Sequence, residues 1–480
     1  MDILQNFIDG CYQDPIRKKY LDNIEPATGL VYGQIPNSCQ DDIELAISAA
    51  EKAFPQWQAT PLEQRADILY AIAQGIESQL DELALAESID NGKPISLAKT
   101  VDIPRAASNF KFFAHACSQF ASESHSMTST ATNYTLRQAI GIVGCISPWN
   151  LPLYLFTWKI APALAAGNCV IAKPSEVTPK TAALLGEICQ TAGLPKGVLN
   201  ILHGTGTNVG SAICNHKKIK AISFTGGTIT GAAIATQLAP QFKKLSLELG
   251  GKNPALVFAD CDFDATVEQV FRASFANQGQ ICLCASRIYI ERPLFEKFKR
   301  ALVAKTQALQ PEDPLAQSSK MGAIVSKAHL DKVLGYIELA KSEGGKVLIG
   351  GEQVHLTGRC AKGYFLQPTI IEGLTNKAQC NQEEIFGPVI TLHAFDTDEE
   401  ALALANESQY GLAATLWTNN LGRAHRLSEQ LNTGIVWVNC WLLRDLRTPF
   451  GGMNNSGLGR EGGFEAMRFF TESKNICIKY

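Results

Sequence analysis

From about residue 140 onward, the chain repeats one pattern: a short apolar run, a turn and a stretch with helical spacing. The apolar runs cover residues 141–147, 169–173, 198–202 and 221–224. The helical stretches cover residues 153–166, 178–191, 207–215 and 229–239. Strands that are separated by such helices form βαβ units, which place the strands parallel in one sheet. The pattern therefore predicts an α/β fold with a parallel sheet.

A second series of the same kind begins after Leu245. Its strand candidates cover residues 255–258, 287–290, 346–350, 388–394, 412–417 and 435–439. Its helical stretches cover residues 293–309, 327–343, 398–406 and 421–431. This series predicts a second α/β domain of about 200 residues. Ahead of both series, residues 40–57 and 61–90 also have helical spacing.

Two further runs, residues 133–139 and 475–480, alternate apolar and polar side chains and lie outside both series. A strand needs a partner for its backbone hydrogen bonds. A neighbouring subunit or another part of the same chain can supply that partner. The pattern leaves both alternatives open.

Length and charge limit the class of protein. A chain of 480 residues is too long for one ordinary core, so two or three domains are expected. The net charge of -3 gives no reason to expect nucleic acid or an acidic membrane surface as a partner. The first ten residues lack the basic start and apolar run of a signal peptide, and no run reaches the length of a membrane span.

The fourteen cysteines are scattered and include no Cys-x-x-Cys. Cys282 and Cys284 have no second pair at zinc-finger spacing, so no metal site is predicted. In a chain without a secretory signal, reduced thiols are expected. We therefore expect the protein in a reducing compartment, the cytosol.

Residues 275–284 read Phe-Ala-Asn-Gln-Gly-Gln-Ile-Cys-Leu-Cys and set Cys282 in an amide-rich turn that contains a glycine. Such a turn, just ahead of the apolar run 288–290, is typical of a presented thiol. A nucleophilic thiol forms a covalent bond to a carbonyl, and it requires donors for the oxyanion and a base for release. The alternative is an inert core cysteine, because free cysteines are often buried.

Two residues are candidates for those partner roles. Glu248 has leucines on both sides and two glycines after it, and partial burial raises the pKa of such a carboxyl toward the range of a general base. The alternative is a solvent-facing residue on an edge strand. Asn150 ends Ser-Pro-Trp-Asn between a strand and a helix, where its amide can donate to an oxyanion or cap the helix.

Several segments after strand ends have the residue types of a dinucleotide site. Lys173-Pro-Ser-Glu176 offers an ammonium and a carboxylate for ribose hydroxyls, and the carboxylate favours NAD over NADP because it repels an added phosphate. Glycine-rich turns at 204–210 and 224–231 each open a helix, where free N–H groups suit a pyrophosphate. Glu384 and Phe386 lie beside a turn and suit a nicotinamide ribose. An exposed ion pair and ordinary surface turns are the alternatives.

Taken together, these segments resemble the NAD(P)-dependent aldehyde dehydrogenase superfamily along essentially the whole chain. The motifs are, in order, Pro148-Trp-Asn150, Lys173-Pro-Ser-Glu176, Phe224-Thr-Gly226, Leu247-Glu-Leu-Gly-Gly-Lys252, Asn277-Gln-Gly-Gln-Ile-Cys282, Glu384-Ile-Phe-Gly-Pro388, and Pro449-Phe-Gly-Gly452 with Ser456-Gly457. The resemblance implies Cys282 as nucleophile, Glu248 as base and Asn150 as oxyanion donor. One departure is Gly227, where many members have serine.

The resemblance also implies the domains and the cofactor residues. It implies a Rossmann-type NAD-binding domain (1–119 and 140–247), an α/β catalytic domain (248–449) and a small β oligomerisation element (120–139 and 465–480) of a homo-oligomer. The implied NAD-binding residues are Ile146, Ser147, Trp149, Lys173, Ser175, Glu176, Gly206, Phe224, Thr225, Gly226, Gly227, Thr230, Leu249, Glu384 and Phe386.

A narrower resemblance concerns the substrate. The segments 102–110, 147–168 and 439–446 look like those of the 2-aminomuconic and 2-hydroxymuconic semialdehyde dehydrogenases. These enzymes oxidise an unsaturated C6 semialdehyde with a carboxylate at its far end, and fixed guanidinium groups suit that carboxylate. Arg105 and Arg444 are the implied ligands, with Arg447 as a substitute. The alternatives are a broad-range dehydrogenase for retinal-like or aliphatic aldehydes, and a catalytically silent protein on this fold.

Overall fold

The computed structural model of the protein describes residues 2–480. The strands in this range are β1 Asp2–Ile3, β2 Asn6–Ile8, β3 Cys11–Gln13, β4 Tyr20–Glu25, β5 Leu30–Pro36, β6 Ser124–Met127, β7 Ala131–Ala139, β8 Ile142–Ile146, β9 Cys169–Lys173, β10 Leu199–Ile201, β11 Ile219–Thr225, β12 Lys244–Glu248, β13 Asn253–Val257, β14 Ala285–Glu291, β15 Lys346–Ile349, β16 Gln353–Val354, β17 Phe365–Leu366, β18 Thr369–Glu372, β19 Val389–Phe395, β20 Ala413–Trp417, β21 Ile435–Val438, β22 Gly457–Leu458 and β23 Thr471–Lys479. The α-helices are α1 Gln40–Ala59, α2 Leu62–Ser78, α3 Leu80–Asn91, α4 Ile95–Leu97, α5 Ile103–Gln119, α6 Pro152–Ala165, α7 Lys180–Thr191, α8 Ser211–Asn215, α9 Thr228–Leu238, α10 Phe263–Phe275, α11 Arg292–Ala308, α12 Lys327–Ser342, α13 Gln379–Gln382, α14 Asp398–Asn406, α15 Leu421–Gln430 and α16 Gly463–Phe469.

The first large sheet has the strand order β22-β12-β11-β8-β9-β10-β2-β3. Its strands β8 to β11 run parallel, as the strand and helix pattern predicts, and β12, which was not among the predicted strands, runs parallel to β11. The helix between β8 and β9, α6, is buried along its whole length. These five strands all end at one edge of the sheet, which is where open α/β sheets bind ligands.

The second large sheet has the order β15-β18-β19-β14-β13-β20-β21. Six of its strands are parallel, and β15 pairs antiparallel with β18 at the edge. The strand candidate at residues 346–350 is confirmed as β15, and its direction is opposite to that of the other six strands. The chain returns from β15 through the small β16–β17 hairpin rather than through a crossover helix, so it enters β18 in the opposite direction.

The two outlying strands pair with each other inside the chain. β23 lies antiparallel to β7 over nine residues, from Thr471 opposite Ala139 to Lys479 opposite Ala131, and β6 completes a three-stranded sheet. Of the two open alternatives, pairing within the chain is confirmed. The part assigned to this sheet in an oligomer stays a prediction.

The chain passes from the first sheet to the second between the end of β12 and the start of β13. The segment before β14 carries Cys282, and it therefore faces the strand ends of the first sheet. β22 joins the first sheet next to β12 although it lies near the end of the chain. The domain bounds stay a prediction.

No helix among residues 2–480 is both long and apolar enough to cross a membrane.

Candidate active site

Cys282 follows a turn with an uncommon backbone. Asn277, Gln278 and Gly279 have φ values of 49°, 56° and 68°, so three successive residues adopt left-handed conformations. Such conformations suit glycine and asparagine and are costly for most other residues. The surroundings hold the turn, since the Gln278 side chain donates to the Ala323 carbonyl at 3.0 Å and accepts from the Gly322 N–H at 3.2 Å.

Cys282 lies where two cavities meet and lines both of them. The larger cavity has a volume of about 310 Å³, and the smaller cavity has a volume of about 190 Å³. Thr225 and Leu249 also line both. A thiol in this place can react with a molecule in one cavity while the other holds a second molecule.

The thiol of Cys282 is protonated in the free protein. Burial raises the pKa of Cys282 well above its ordinary value, and the carboxyl groups of Glu384 and Glu248 raise it further. A nucleophilic thiolate therefore requires removal of the proton or a nearby positive charge when ligands bind. Arg444 acts in that direction, since it lowers the pKa of the thiol.

Glu248 ends β12 and lines the larger cavity. Its side chain is buried, and neither carboxyl oxygen has a hydrogen-bond partner among residues 2–480. Burial raises the pKa of Glu248 well above its ordinary value, and the nearby Glu461 raises it further. The alternative of a solvent-facing edge residue is therefore wrong, because β22 covers the outer side of β12.

A buried ion pair lies behind Glu248. Lys159 donates to Glu461 Oε1 at 2.7 Å and to Ser223 Oγ at 3.0 Å, and Ser223 in turn donates to the same carboxylate oxygen at 3.0 Å. Lys159 lowers the pKa of Glu248 and so opposes part of the effect of burial. The pattern of the sequence gave no sign of this pair, because the two residues are far apart in the chain.

Asn150 lies just before α6, and its side chain faces the segment of the nucleophile. Its Nδ2 donates to the Gln280 carbonyl at 2.9 Å, which leaves the second N–H of the amide for another acceptor. Asn150 also lines the smaller cavity together with Cys282. The alternative of a helix cap is wrong, since the N-cap of α6 is Leu151 and no side chain caps it.

Seven of the predicted cofactor residues line the smaller cavity: Trp149, Thr225, Gly226, Gly227, Leu249, Glu384 and Phe386. Glu384 is held by the Gly251 N–H, which donates to Oε1 at 2.9 Å. A Cβ atom at Gly250 would lie 2.2 Å from Glu384 Oε2, so the approach of this carboxylate requires glycine there. The rings of Phe386 and Trp149 pack edge to face with centroids 5.2 Å apart.

Lys173 and Glu176 form an ion pair after β9, with 3.0 Å between Lys173 Nζ and Glu176 Oε2. The other carboxylate oxygen accepts from the Gly206 N–H at 3.2 Å. Burial would raise the pKa of Glu176, but Lys173 and the backbone N–H groups lower it below its ordinary value. A carboxylate that stays ionised beside a fixed ammonium is a good acceptor for hydroxyl groups.

The remaining predicted cofactor residues lie near the same strand ends but do not line the smaller cavity. Ile146 and Phe224 are buried at the ends of β8 and β11, and Ser147 and Ser175 are buried in the turns that follow β8 and β9. Thr230 is exposed on the first turn of α9. These five residues have no contact with Cys282 that assigns them a role, so their roles stay predictions.

Arg105 and Arg444 line the larger cavity together with Cys282 and Glu248, although they come from distant parts of the chain. Arg444 donates to the Tyr154 hydroxyl at 2.5 Å, and its guanidinium lies 4.2 Å from the ring centroid of Phe450. Neither arginine forms an ion pair with a carboxylate of residues 2–480. Without the resemblance, Arg105 would be a solvated helix residue and Arg444 a surface charge of a loop, but both are half-buried.

Arg447, the alternative candidate to Arg444 as a ligand of the substrate carboxylate, points away from the larger cavity. It is exposed and binds the carboxylate of Asp445 with distances of 3.0 and 2.6 Å. It does not line the larger cavity. Arg447 is therefore excluded as a ligand in this conformation.

Sequence reasoning missed several residues of the two cavities. The larger cavity is also lined by Tyr154, Arg272, Trp441, Phe450 and Glu461, and the smaller one by His329 and Lys332. Tyr154, Trp441 and Phe450 lie in segments that carry the resemblance, but no role was assigned to them. Arg272, Glu461, His329 and Lys332 have no sequence signal, because loops and distant elements bring them to the site.

Two α/β sheets, a half-buried cysteine at their junction and a cavity on each side of it define the class of protein. The model of the aldehyde dehydrogenase family matches residues 12–476. The chain belongs to this family, and the resemblance in the motifs is confirmed.

Among curated relatives, the chain is 47% identical over 481 residues to 2-aminomuconic semialdehyde dehydrogenase of Mus musculus, with 100% of this chain and 98% of the relative covered. It is 46% identical over 488 residues to 2-hydroxymuconic semialdehyde dehydrogenase of Pseudomonas sp. (strain CF600), with 100% of each covered. The solved NAD+ complex of an aldehyde dehydrogenase from Bacillus cereus has a TM-score of 0.97 and 36% identity, with 100% of this chain and 97% of that chain covered.

Proposed function

We propose that the protein oxidises an unsaturated C6 semialdehyde that carries a carboxylate at its far end, with NAD as the oxidant and a carboxylic acid as the product. The observation that carries the substrate is the pair Arg105 and Arg444, two guanidinium groups without carboxylate partners in the cavity of Cys282. Unpaired cations in a half-buried cavity favour an anionic ligand. The relatives named for muconic semialdehydes support the same substrate class.

The residues of the first sheet fit NAD. Thr225 Oγ1 is buried without a hydrogen-bond partner in the described chain and borders the smaller cavity, and the Cβ position of Gly227 is open. Glu176 and Lys173 would hold the adenosine ribose, and Glu384 the nicotinamide ribose. When bound, NAD accepts a hydride from the carbonyl carbon of the substrate. Relatives solved with NAD+ support this cofactor.

The residues of the chain divide the reaction into two covalent stages. The Cys282 thiol gives up its proton to solvent and its sulfur attacks the aldehyde carbon, whose carbonyl oxygen becomes the oxyanion of the hemithioacetal that the Asn150 amide holds. Loss of the hydride leaves a thioester on Cys282. Glu248 then takes a proton from a water molecule, which attacks the thioester and releases the acid with the thiol. Arg105 and Arg444 hold the far carboxylate and so fix the aldehyde end beside the sulfur.

Two further expectations concern the assembly and the location of the protein. Homo-oligomerisation through the β23-β7-β6 sheet is supported by its exposed apolar residues Leu136, Ile478 and Tyr480. A cytoplasmic location is supported by the cysteines, all fourteen of which are free thiols. No observation on the larger cavity favours a broad-range aldehyde dehydrogenase, since a neutral substrate offers no anionic group for Arg105 and Arg444 to bind.

The test is the formation of NADH from NAD and freshly generated 2-hydroxymuconic semialdehyde. The Cys282→Ala variant is expected to form no NADH. Cys284→Ala is the matched control, since it removes a buried thiol two residues away, and it is expected to keep most of the activity. NADH formation by Cys282→Ala at the wild-type rate would show that the thiol is not the nucleophile.

A further inference from the structure

The backbone carbonyl of Asn150 is an unusually crowded acceptor. It accepts from Asn277 Nδ2 at 3.0 Å, from Lys93 Nζ at 3.2 Å and, more weakly, from Asn91 Nδ2 at 3.5 Å. Asn91 also donates to the neighbouring Trp149 carbonyl at 2.9 Å. A carbonyl oxygen has two lone pairs, so these donors occupy it fully. The turn that carries the Asn150 amide is therefore fixed through its main chain.

Lys93 brings a buried charge to this carbonyl. Its ammonium lies 3.0 Å from Glu87 Oε1 and contacts Asp102, and the exposed fractions of the three side chains are 0%, 0% and 1%. The second oxygen of Glu87 accepts from the Leu153 N–H at 3.2 Å, in the first turn of α6. The cluster Glu87–Lys93–Asp102 thus holds the turn around Asn150 at two points.

The same cluster reaches the substrate end of the larger cavity. Asp102 lies immediately before α5, and Arg105 is on the first turn of that helix. Both residues line the larger cavity. Lys93 therefore connects the loop of the Asn150 amide with the helix that carries Arg105.

A cluster of buried charged groups contributes little to the stability of a fold. Removing three ionisable groups from water costs more than burying apolar side chains of the same volume, and the attraction between the charges repays only part of that cost. Burial would lower the pKa of Lys93, but Asp102 and Glu87 raise it above its ordinary value, so the ammonium stays charged. A charged donor at a fixed point makes directional hydrogen bonds, which an apolar side chain does not.

We propose that Lys93 is a positioning residue for the oxidation: held by Glu87 and Asp102, it fixes the Asn150 main chain so that the free N–H of the amide points at the oxyanion on Cys282. This inference rests on the proposed function, since it assumes Asn150 as the oxyanion donor. Lys93 touches neither substrate nor sulfur and acts through Asn150.

The experiment measures NADH formation in a single turnover, with enzyme in excess over hexanal. Hexanal has no carboxylate, so a changed rate reports on the oxyanion and not on Arg105. Lys93→Gln is expected to slow this step about 10- to 100-fold, because a displaced oxyanion donor costs up to two or three orders of magnitude. The control is Asp90→Asn: Asp90 is as buried as Lys93 and on the same segment, but it bonds Tyr32, Asn23 and the Lys180 N–H.

A double-variant comparison separates positioning from general damage. If Lys93 acts through the Asn150 amide, then Lys93→Gln adds less than a twofold loss to the Asn150→Ala variant. A purely structural role gives losses that multiply in the double variant. If Lys93→Gln does not fold, the combined variant Glu87→Gln, Lys93→Met, Asp102→Asn leaves no unpaired buried charge and carries the same comparison.

The outcomes distinguish the inference from the proposed function. Wild-type enzyme that forms no NADH from either hexanal or the semialdehyde overturns the proposed function. If the wild-type enzyme is active, two results overturn the inference. In the first, the folded Lys93→Gln variant has a single-turnover rate within twofold of wild type. In the second, the rate losses of Lys93→Gln and Asn150→Ala multiply in the double variant. A loss in Lys93→Gln that disappears in the Asn150→Ala background, with Asp90→Asn unaffected, supports the inference.

Discussion

Replacing Arg444 with methionine should separate recognition of the substrate carboxylate from the chemistry at Cys282. Arg444 lies between Phe450 and Trp158, with its guanidinium 4.2 and 5.1 Å from their ring centroids, and one of its N–H groups is held by Tyr154. The group is therefore fixed before the substrate binds, and its other N–H groups are free to donate. Methionine keeps an apolar chain between the two rings and removes the charge together with the N–H donors, including the one to Tyr154.

The expected loss follows from the hydrogen bonds that the carboxylate would forfeit. A hydrogen bond to a charged group contributes about 1.5–3 kcal/mol, which corresponds to roughly a 10- to 150-fold lower kcat/KM. The half-buried position favours the upper part of this range, because water screens the charge less there. The loss should appear mainly in KM, since the carboxylate is bound equally before and during the reaction.

The assay compares 2-hydroxymuconic semialdehyde with hexanal, an aldehyde of equal length without a carboxylate. Arg444→Met should lose about 10- to 150-fold in kcat/KM on the semialdehyde and clearly less on hexanal, where only the effect of Arg444 on the pKa of the Cys282 thiol is lost. Arg447→Met is the matched control on the same loop, because Arg447 is exposed and pairs with Asp445. Equal losses on both aldehydes, or an unchanged KM for the semialdehyde, would refute carboxylate binding by Arg444.

Three further predictions concern the base and the cofactor. Glu248→Gln should still release about one NADH per active site in a rapid burst, while steady turnover falls roughly 10²- to 10⁴-fold; a lost burst would contradict a role confined to hydrolysis. Burial raises the pKa of Glu248 above the ordinary value of 4.5, so the hydrolysis rate should increase with pH as this carboxyl ionises. Glu248→Gln should abolish this increase. Glu176→Gln should raise kcat/KM for NADP relative to NAD about tenfold, and an unchanged ratio would exclude Glu176 as the discriminating carboxylate.

Local patterns were sufficient for most elements of the two sheets. The apolar runs at 169–173 and 412–417 match β9 and β20, the latter to within one residue, because a strand buried on both faces needs continuous apolar residues. The strands β1 to β3 were not predicted, since two or three residues are too few to show a period. The direction of β15 could not be predicted, because strand direction depends on the connection and not on the composition of the strand.

The sequence by itself determined the thiol and its turn. The run Asn277 to Cys282 carries Asn277 and Gly279, which tolerate left-handed backbone, and amide side chains that bind neighbouring carbonyl groups, so its signal is contained in six adjacent positions. The motifs after the strand ends are local in the same way. A glycine at 250 or a carboxylate at 384 can be recognised without knowing what it faces.

Only the tertiary structure decided which of these residues meet. The burial of Glu248 against Glu461, the meeting of Arg105 with Arg444, and the contact of Lys93 with the Asn150 carbonyl all join segments that are distant in the chain. Such contacts follow from the order of strands in the sheets and from the loops that β22 and α5 fix, and no local pattern encodes them. The pKa of a carboxyl or thiol depends on those same neighbours, so the chemistry of the site became visible only with the fold.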